Sequence, residues 1–153
     1  MELTHAAGDE LTAEQLYGLL KLRVDVFVVE QACPYPELDG RDLLPDTVHL
    51  WWPPAGEPQA YLRLLAEPGG GFRIGRVCTS EAARRQGWGA RLMAAALELT
   101  GESEVVLDAQ TYAQDFYRRF GFEPEGAPFD EDGIEHITMR RKVARARANH
   151  SSS

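Results

Sequence analysis

The chain has 153 residues, 44% hydrophobic and 26% charged, with a formal net charge of −8. That length can bury a sizeable core in one domain, and the acidic excess argues against general nucleic-acid or anionic-membrane binding while leaving room for a cationic small substrate. No apolar run approaches the ~20 residues of a spanning helix, and the start Met1-Glu2-Leu3-Thr4-His5 lacks the basic and apolar stretches of a secretory leader, so the expected location is the cytoplasm.

In chain order, Leu3 to Ala7 reads as a short strand, broken by Gly8-Asp9-Glu10. Thr12 followed by Gln15 is a capping box, with Thr12 as N-cap. Leu16, Leu19, Leu20, Val24 and Phe27 then recur at helical spacing, which predicts an amphipathic helix to about Val28. From Glu30 to Asp46 the chain is rich in proline, glycine and acid and must be largely a loop. Val48 to Trp52 and Gln59 to Leu65 read as strands joined by the turn Pro53-Pro54-Ala55-Gly56-Glu57-Pro58. A third strand, Phe72 to Thr79, completes an antiparallel meander.

Next comes Ser80 to Leu99, where a polar loop with Gly87 and Gly89 opens a strongly helical segment. Glycine lets the backbone turn sharply and lets an anion approach it. The first helical turn presents unpartnered N–H groups and a partial positive charge, so it favours phosphate. Arg84, Arg85 and Arg91 add full charges there. A plain helix-capping turn would use the same glycines. The dinucleotide fingerprint is a poor fit, because its third glycine is missing, and the P-loop is excluded for want of a Gly-Lys-Ser/Thr ending. Glu104 to Ala109 is a further strand, whose unbroken Val105-Val106-Leu107 suits burial on both faces. Tyr112 to Phe120 reads as a short helix. Phe122 to Pro124 and Ile134 to Arg141 read as a final antiparallel pair linked by an acidic loop. One domain is expected over residues 1–143, with a frayed or disordered tail over 144–153.

Arg84, Gly87 and Gly89 form R-x-x-G-x-G after an apolar strand, and Ala113 to Phe122 places Tyr117 on a helix ending in Gly121-Phe122. Together they resemble the two hallmarks of the GNAT superfamily of N-acetyltransferases. Val26 to Gln31, Cys33-Pro34-Tyr35, Glu37-Leu38-Asp39-Gly40-Arg41-Asp42 and His49-Leu50 resemble the ElaA-like branch, with Glu37 where that pattern prefers Asp. The resemblance covers about Leu16 to Met139. It implies an α/β (α+β) fold: a mixed, mostly antiparallel sheet of six to seven strands, helices on both faces and one splayed strand pair.

The same resemblance implies acetyl-CoA as co-substrate and direct transfer to a primary amine of a small molecule or peptide. Val77, Cys78 and Thr79 would line the pantetheine arm. Arg84, Arg85, Gln86, Gly87, Trp88, Gly89 and Ala90 would hold the diphosphate, with Gln110 and Gln114 also at the cofactor. Tyr117 would give a proton to the departing thiolate; without the two motifs, an aromatic at that position reads as a packing residue. His49 and Glu30 are candidate bases, and His136 a third. Each has a plainer alternative: a structural histidine, a helix-end charge, a strand residue facing solvent. Arg63 and Arg76 lie in central strands, where an unpaired charge is costly, so pairing with Glu30, Asp39 or Asp42 is expected. Glu37, Asp39, Asp42, Arg63, Arg76 and His136 are the expected acceptor-pocket residues. The acidic loop suggests a cationic amine. A catalytically silent acyl-CoA sensor and a longer acyl donor are the competing readings. No nucleic acid or membrane partner is expected, a homodimer is left open, and no metal is expected because His5, His49, His136 and His150 lack ligand spacing. Cys33 and Cys78 are not expected to form a disulfide framework.

Overall fold

A computed structural model describes residues 2–142. The tail expected to fray, 144–153, lies outside the described residues. The chain groups into two compact units, Met1–Leu65 with Ile74–Ala96 and Ala66–Arg73 with Leu97–Ser153. Neither is continuous in the chain, so no linker composition marks the division. Among the described residues, seven strands, paired mostly antiparallel, and three α-helices make a mixed α/β fold.

In the first unit the strands β1 (Thr4–Ala7), β2 (Val48–Trp52), β3 (Ala60–Ala66) and β4 (Phe72–Thr79) lie side by side in that order. Helix α1 (Ala13–Arg23) starts at the expected box: Thr12 accepts from the Gln15 amide, and the Gln15 side chain accepts from the Thr12 amide. Such a cap is worth about 1 kcal/mol. Beyond Arg23 the helix differs from the expected single amphipathic run. It widens into a π-helical segment, Val24–Glu30. Leu19 and Leu22 of α1 and Val26 of the π segment are buried with Trp51, Tyr61 and Cys78, and Phe27 only packs at their margin. Helix α2 (Trp88–Thr100) buries Leu92, Met93 and Ala96.

In the second unit β7 (Ile134–Arg141) lies between β5 (Val105–Gln110) and β6 (Glu123–Glu131). The expected acidic loop after Pro124 is instead strand. β6 runs on to Glu131 with a bulge between Glu125 and Phe129, and only Asp132 and Gly133 turn the chain. Both have positive φ, 53° and 83°, the geometry of a two-residue Asp-Gly hairpin. The expected helix over 112–120 divides into a 3₁₀ turn, Thr111–Ala113, and α3, Gln114–Arg118. Gly121, at φ 92°, closes α3: its amide bonds the Arg118 carbonyl, and the Phe122 amide bonds that of Tyr117.

Candidate active site

The glycine loop is built as a backbone cradle. Arg85 and Gly87 are both left-handed, at φ 65° and 82°, and a Cβ at Gly87 would meet nothing within 4 Å. The Arg91 amide bonds the Gly87 carbonyl at 3.2 Å, so the amides of Trp88, Gly89 and Ala90 lie ahead of that rung. Trp88 anchors the bend from below. Its ring stacks on Trp52 at 4.0 Å, its indole N–H bonds Gln86 Oε1 at 3.3 Å, and Arg91 lies over it at 4.8 Å. Arg84 is committed differently. Its guanidinium grips the Glu30 carboxylate with both NH groups and donates to the Thr79 carbonyl at 3.1 Å. That pairing holds Glu30 below the usual carboxylate range, so Glu30 is a weakened base.

Between α1 and the meander sits a polar core. Arg23, fully buried at the end of α1, reaches Glu37 Oε2 with Nε at 2.7 Å and Asp42 Oδ1 with NH1 at 2.6 Å. Arg63 on β3 reaches Asp42 at 3.0 Å and Asp39 at 2.8 Å. Arg76 on β4 reaches Glu37 at 2.7 Å and Asp39 at 3.5 Å. Three arginines thus meet three carboxylates, and the network is formally neutral. Burial pushes Asp39 and Asp42 up, but the arginines outweigh it and both end below the ordinary range. The Arg63 Nε is left buried without a partner among the described residues.

The expected pairing of Arg63 and Arg76 with loop acids is what the structure shows, with Glu37 in the place expected for Glu30. The expected negative pocket for a cationic amine is not what the loop builds. Glu37 and Asp42 are buried and spent on arginines, and of the three carboxylates in the network Asp39, with a side chain 28% exposed, is the one in contact with solvent. His49 is also withdrawn. It is fully buried, with Nε2 at 2.8 Å from the Asp42 carbonyl and Nδ1 at 2.6 Å from the Tyr61 hydroxyl. A carbonyl only accepts, so Nε2 carries the proton and Nδ1 accepts from Tyr61. Burial lowers the His49 pKa. The ring is neutral, and both nitrogens are used.

Arg76 has an unusual backbone: φ is 58° inside strand β4. For a non-glycine residue that costs about 1–2 kcal/mol. It falls within the strand, just before Val77, Cys78 and Thr79. Burial raises the Cys78 thiol well above its ordinary value, so it is inert as a nucleophile.

In the second unit, Tyr117 sits on α3 with its ring edge-on to Phe116 at 5.0 Å and Phe122 at 6.3 Å. Burial pushes its pKa up to about 12, so the phenol is protonated at neutral pH. Gln114 bonds the Thr111 carbonyl at 3.2 Å. Gln110, the last residue of β5, is opposite His136 of β7. His136 stacks on Phe129 at 6.0 Å, and its Nδ1 meets the Ile134 carbonyl at 2.8 Å, which leaves Nε2 for other work. No sequence motif marks Arg23 or Tyr61, and Tyr35 is marked only by the Cys33-Pro34-Tyr35 resemblance. For Arg23 the signal exists: it lies four residues after Leu19, on the buried face of α1, where a charge must have buried partners.

The first unit carries a strand, a glycine bend and the start of a long helix, and the second carries a tyrosine on a short helix. The family model described as an Acetyltransferase (GNAT) domain matches residues 53–143, and the chain belongs to that family. Within it the likeness is to ElaA. Escherichia coli ElaA is 44% identical over 146 residues, covering 90% of this chain and 94% of its own. Its crystal structure superposes with a TM-score of 0.87 at 42% identity, over 93% of this chain and all of ElaA. A UPF0039 protein of Mycobacterium tuberculosis is 54% identical over 136 residues, 86% of this chain and 87% of its own. The crystal structure of an acyl-CoA N-acyltransferase from Pseudomonas aeruginosa matches with a TM-score of 0.84 at 45% identity, over 92% and 99% of the two chains. Among the described residues no helix is long and apolar enough to cross a membrane.

Proposed function

We propose that the chain transfers an acetyl group from acetyl-CoA to a primary amine of a small molecule or peptide, in a ternary complex of donor and acceptor. The observation that carries this reading is the bend at Arg85 and Gly87, whose amides stand ahead of α2 with open space around Gly87. The family's acetyltransferase description supports the choice of acyl group. The diphosphate of the donor is held by amides from Gln86 to Ala90 and by Arg85 and Arg91, while Arg84 braces the bend through Glu30 and Thr79. Backbone groups of Val77, Cys78 and Thr79 bond the pantetheine amides in the manner of a strand, and a β4 amide stabilises the oxyanion. Gln110 and Gln114 contribute polar contacts to the donor.

The amine attacks the thioester carbonyl, the C–N bond forms, and the C–S bond breaks. Tyr117 gives its proton to the thiolate. The ammonium proton of the acceptor goes to a base or through water. Of the three candidates, His136 keeps a ring nitrogen without a partner among the described residues, while His49 and Glu30 are engaged elsewhere. A cytoplasmic location goes with this reading, since the donor is an intracellular thioester.

The test is thiol release from acetyl-CoA across polyamines, amino acids and peptides. Release that rises with one amine class is expected. Coenzyme A binding without turnover on any amine gives the silent sensor and contradicts the proposal. Tyr117→Phe lowers kcat by about 10²-fold with donor affinity retained; unchanged kcat removes the acid role.

A further inference from the structure

We infer that Glu37 is a positioning residue for the donor strand: its carboxylate holds Arg76 in a left-handed backbone conformation and so aims the backbone groups of Val77 to Thr79. The inference rests on the reading of β4 as the strand that takes the pantetheine arm.

Four non-glycine residues among those described have positive φ: Ala32, Arg76, Arg85 and Asp132. Three lie in loops or turns, and Arg76 alone lies inside a strand. A glycine stands next to it. Gly75 has no positive φ, and a Cβ there would meet nothing within 4 Å. The chain therefore turns on a long cation rather than on the adjacent glycine, and that cation is bound through its guanidinium. Arg76 Nε donates to Glu37 Oε2 at 2.7 Å, and NH2 donates to the Glu37 carbonyl at 2.9 Å. Asp39 adds a longer contact at 3.5 Å.

Glu37 is itself buried and bonded through both carboxylate oxygens and its backbone carbonyl. The same Oε2 accepts from Arg23 Nε at 2.7 Å, Oε1 accepts from the Tyr35 hydroxyl, and the backbone carbonyl also accepts from Arg23 NH2 at 3.2 Å. One buried carboxylate thus ties the end of α1 to the left-handed residue of β4. Neutralising it leaves Arg76 free to relax to extended φ, which turns the peptide before Val77 and reduces the population competent to bind the donor.

Two readouts test this in the full chain. The first needs no ligand: the intraresidue amide–α-proton NOE of residue 76, strong at positive φ, is read in the wild type and in Glu37→Gln. The second is calorimetric affinity for coenzyme A. In Glu37→Gln the NOE weakens and affinity falls by about tenfold, and Glu37→Gln/Arg76→Gly recovers most of that affinity because glycine takes the left-handed state without an ion pair. A Glu37→Gln variant that keeps NOE and affinity, or a double variant no better than the single, overturns the inference. Should Glu37→Gln fail to fold, Arg76→Ala and Arg76→Gly decide it: alanine binds coenzyme A more weakly than glycine, and equal affinity overturns the inference. A wild type that takes up no coenzyme A sinks the reading of β4, while the NOE comparison still judges the Glu37–Arg76 link.

Discussion

Two stretches of this chain are equally acidic to the eye, and they do opposite things. Residues 37–46 carry Glu37, Asp39, Asp42 and Asp46, and residues 123–135 carry Glu123, Glu125, Asp130, Glu131, Asp132 and Glu135. In the first, Glu37 and Asp42 are buried, and they and Asp39 are consumed by Arg23, Arg63 and Arg76. In the second, the acids stand on an exposed hairpin, where the ion pairs of Glu125 and Arg140 are open to water. Composition states the charge of a segment but not its dielectric surroundings. A carboxylate in water is nearly free of consequence, whereas one that is buried dictates where two arginines must stand.

Breaking the buried set has the largest expected effect. Asp42→Ala leaves three buried or part-buried guanidinium charges facing the two carboxylates of Glu37 and Asp39, at a cost of about 3–5 kcal/mol, read as a fall in the urea midpoint; a loss under about 1 kcal/mol would show the network to be dispensable. Acid sharpens the contrast further. Asp39 and Asp42 titrate lower in the folded chain than when unfolded, so their stabilisation is full above pH ~4 and is lost as pH drops through their folded values. His49 is lowered too, so its loss has the same sign and begins below pH ~6.5, where the unfolded chain takes up the proton first. In His49→Asn the stability curve between pH ~6.5 and ~5 flattens; an unchanged slope would contradict a neutral buried ring. The smallest effect belongs to the hairpin. Glu131→Gln shifts stability by less than about 0.5 kcal/mol, and a shift of several kcal/mol would erase the distinction between the two stretches.

This contrast also explains what could be read beforehand. Strands β2, β4 and β7 lie over the residues their patterns predict, and Thr12 caps α1 through the expected box, because alternation and capping are local properties. The glycine bend was legible for the same reason. The arginine network was legible only in part. Its partners lie 14 to 39 residues apart, so a buried arginine and a surface arginine look alike until the chain is folded. The long β6 was missed because its exposed carboxylates resemble a loop, although Asp132-Gly133 carried a hairpin signal. The widening of the helix after Arg23 left no local mark in an apolar run. His49 was a reasonable base on residue type alone, but its two hydrogen bonds, to Tyr61 and to the Asp42 carbonyl, are set by tertiary contacts.

Everything proposed for catalysis depends on amides near Gly87 gripping a diphosphate. Titration calorimetry of the full chain with coenzyme A and, separately, with pantetheine measures that grip directly, since pantetheine keeps the amides of the arm but lacks the phosphates. Saturable uptake of coenzyme A, with pantetheine bound at least about tenfold more weakly, is the predicted result. No uptake of coenzyme A, or equal affinity for the two, would contradict it.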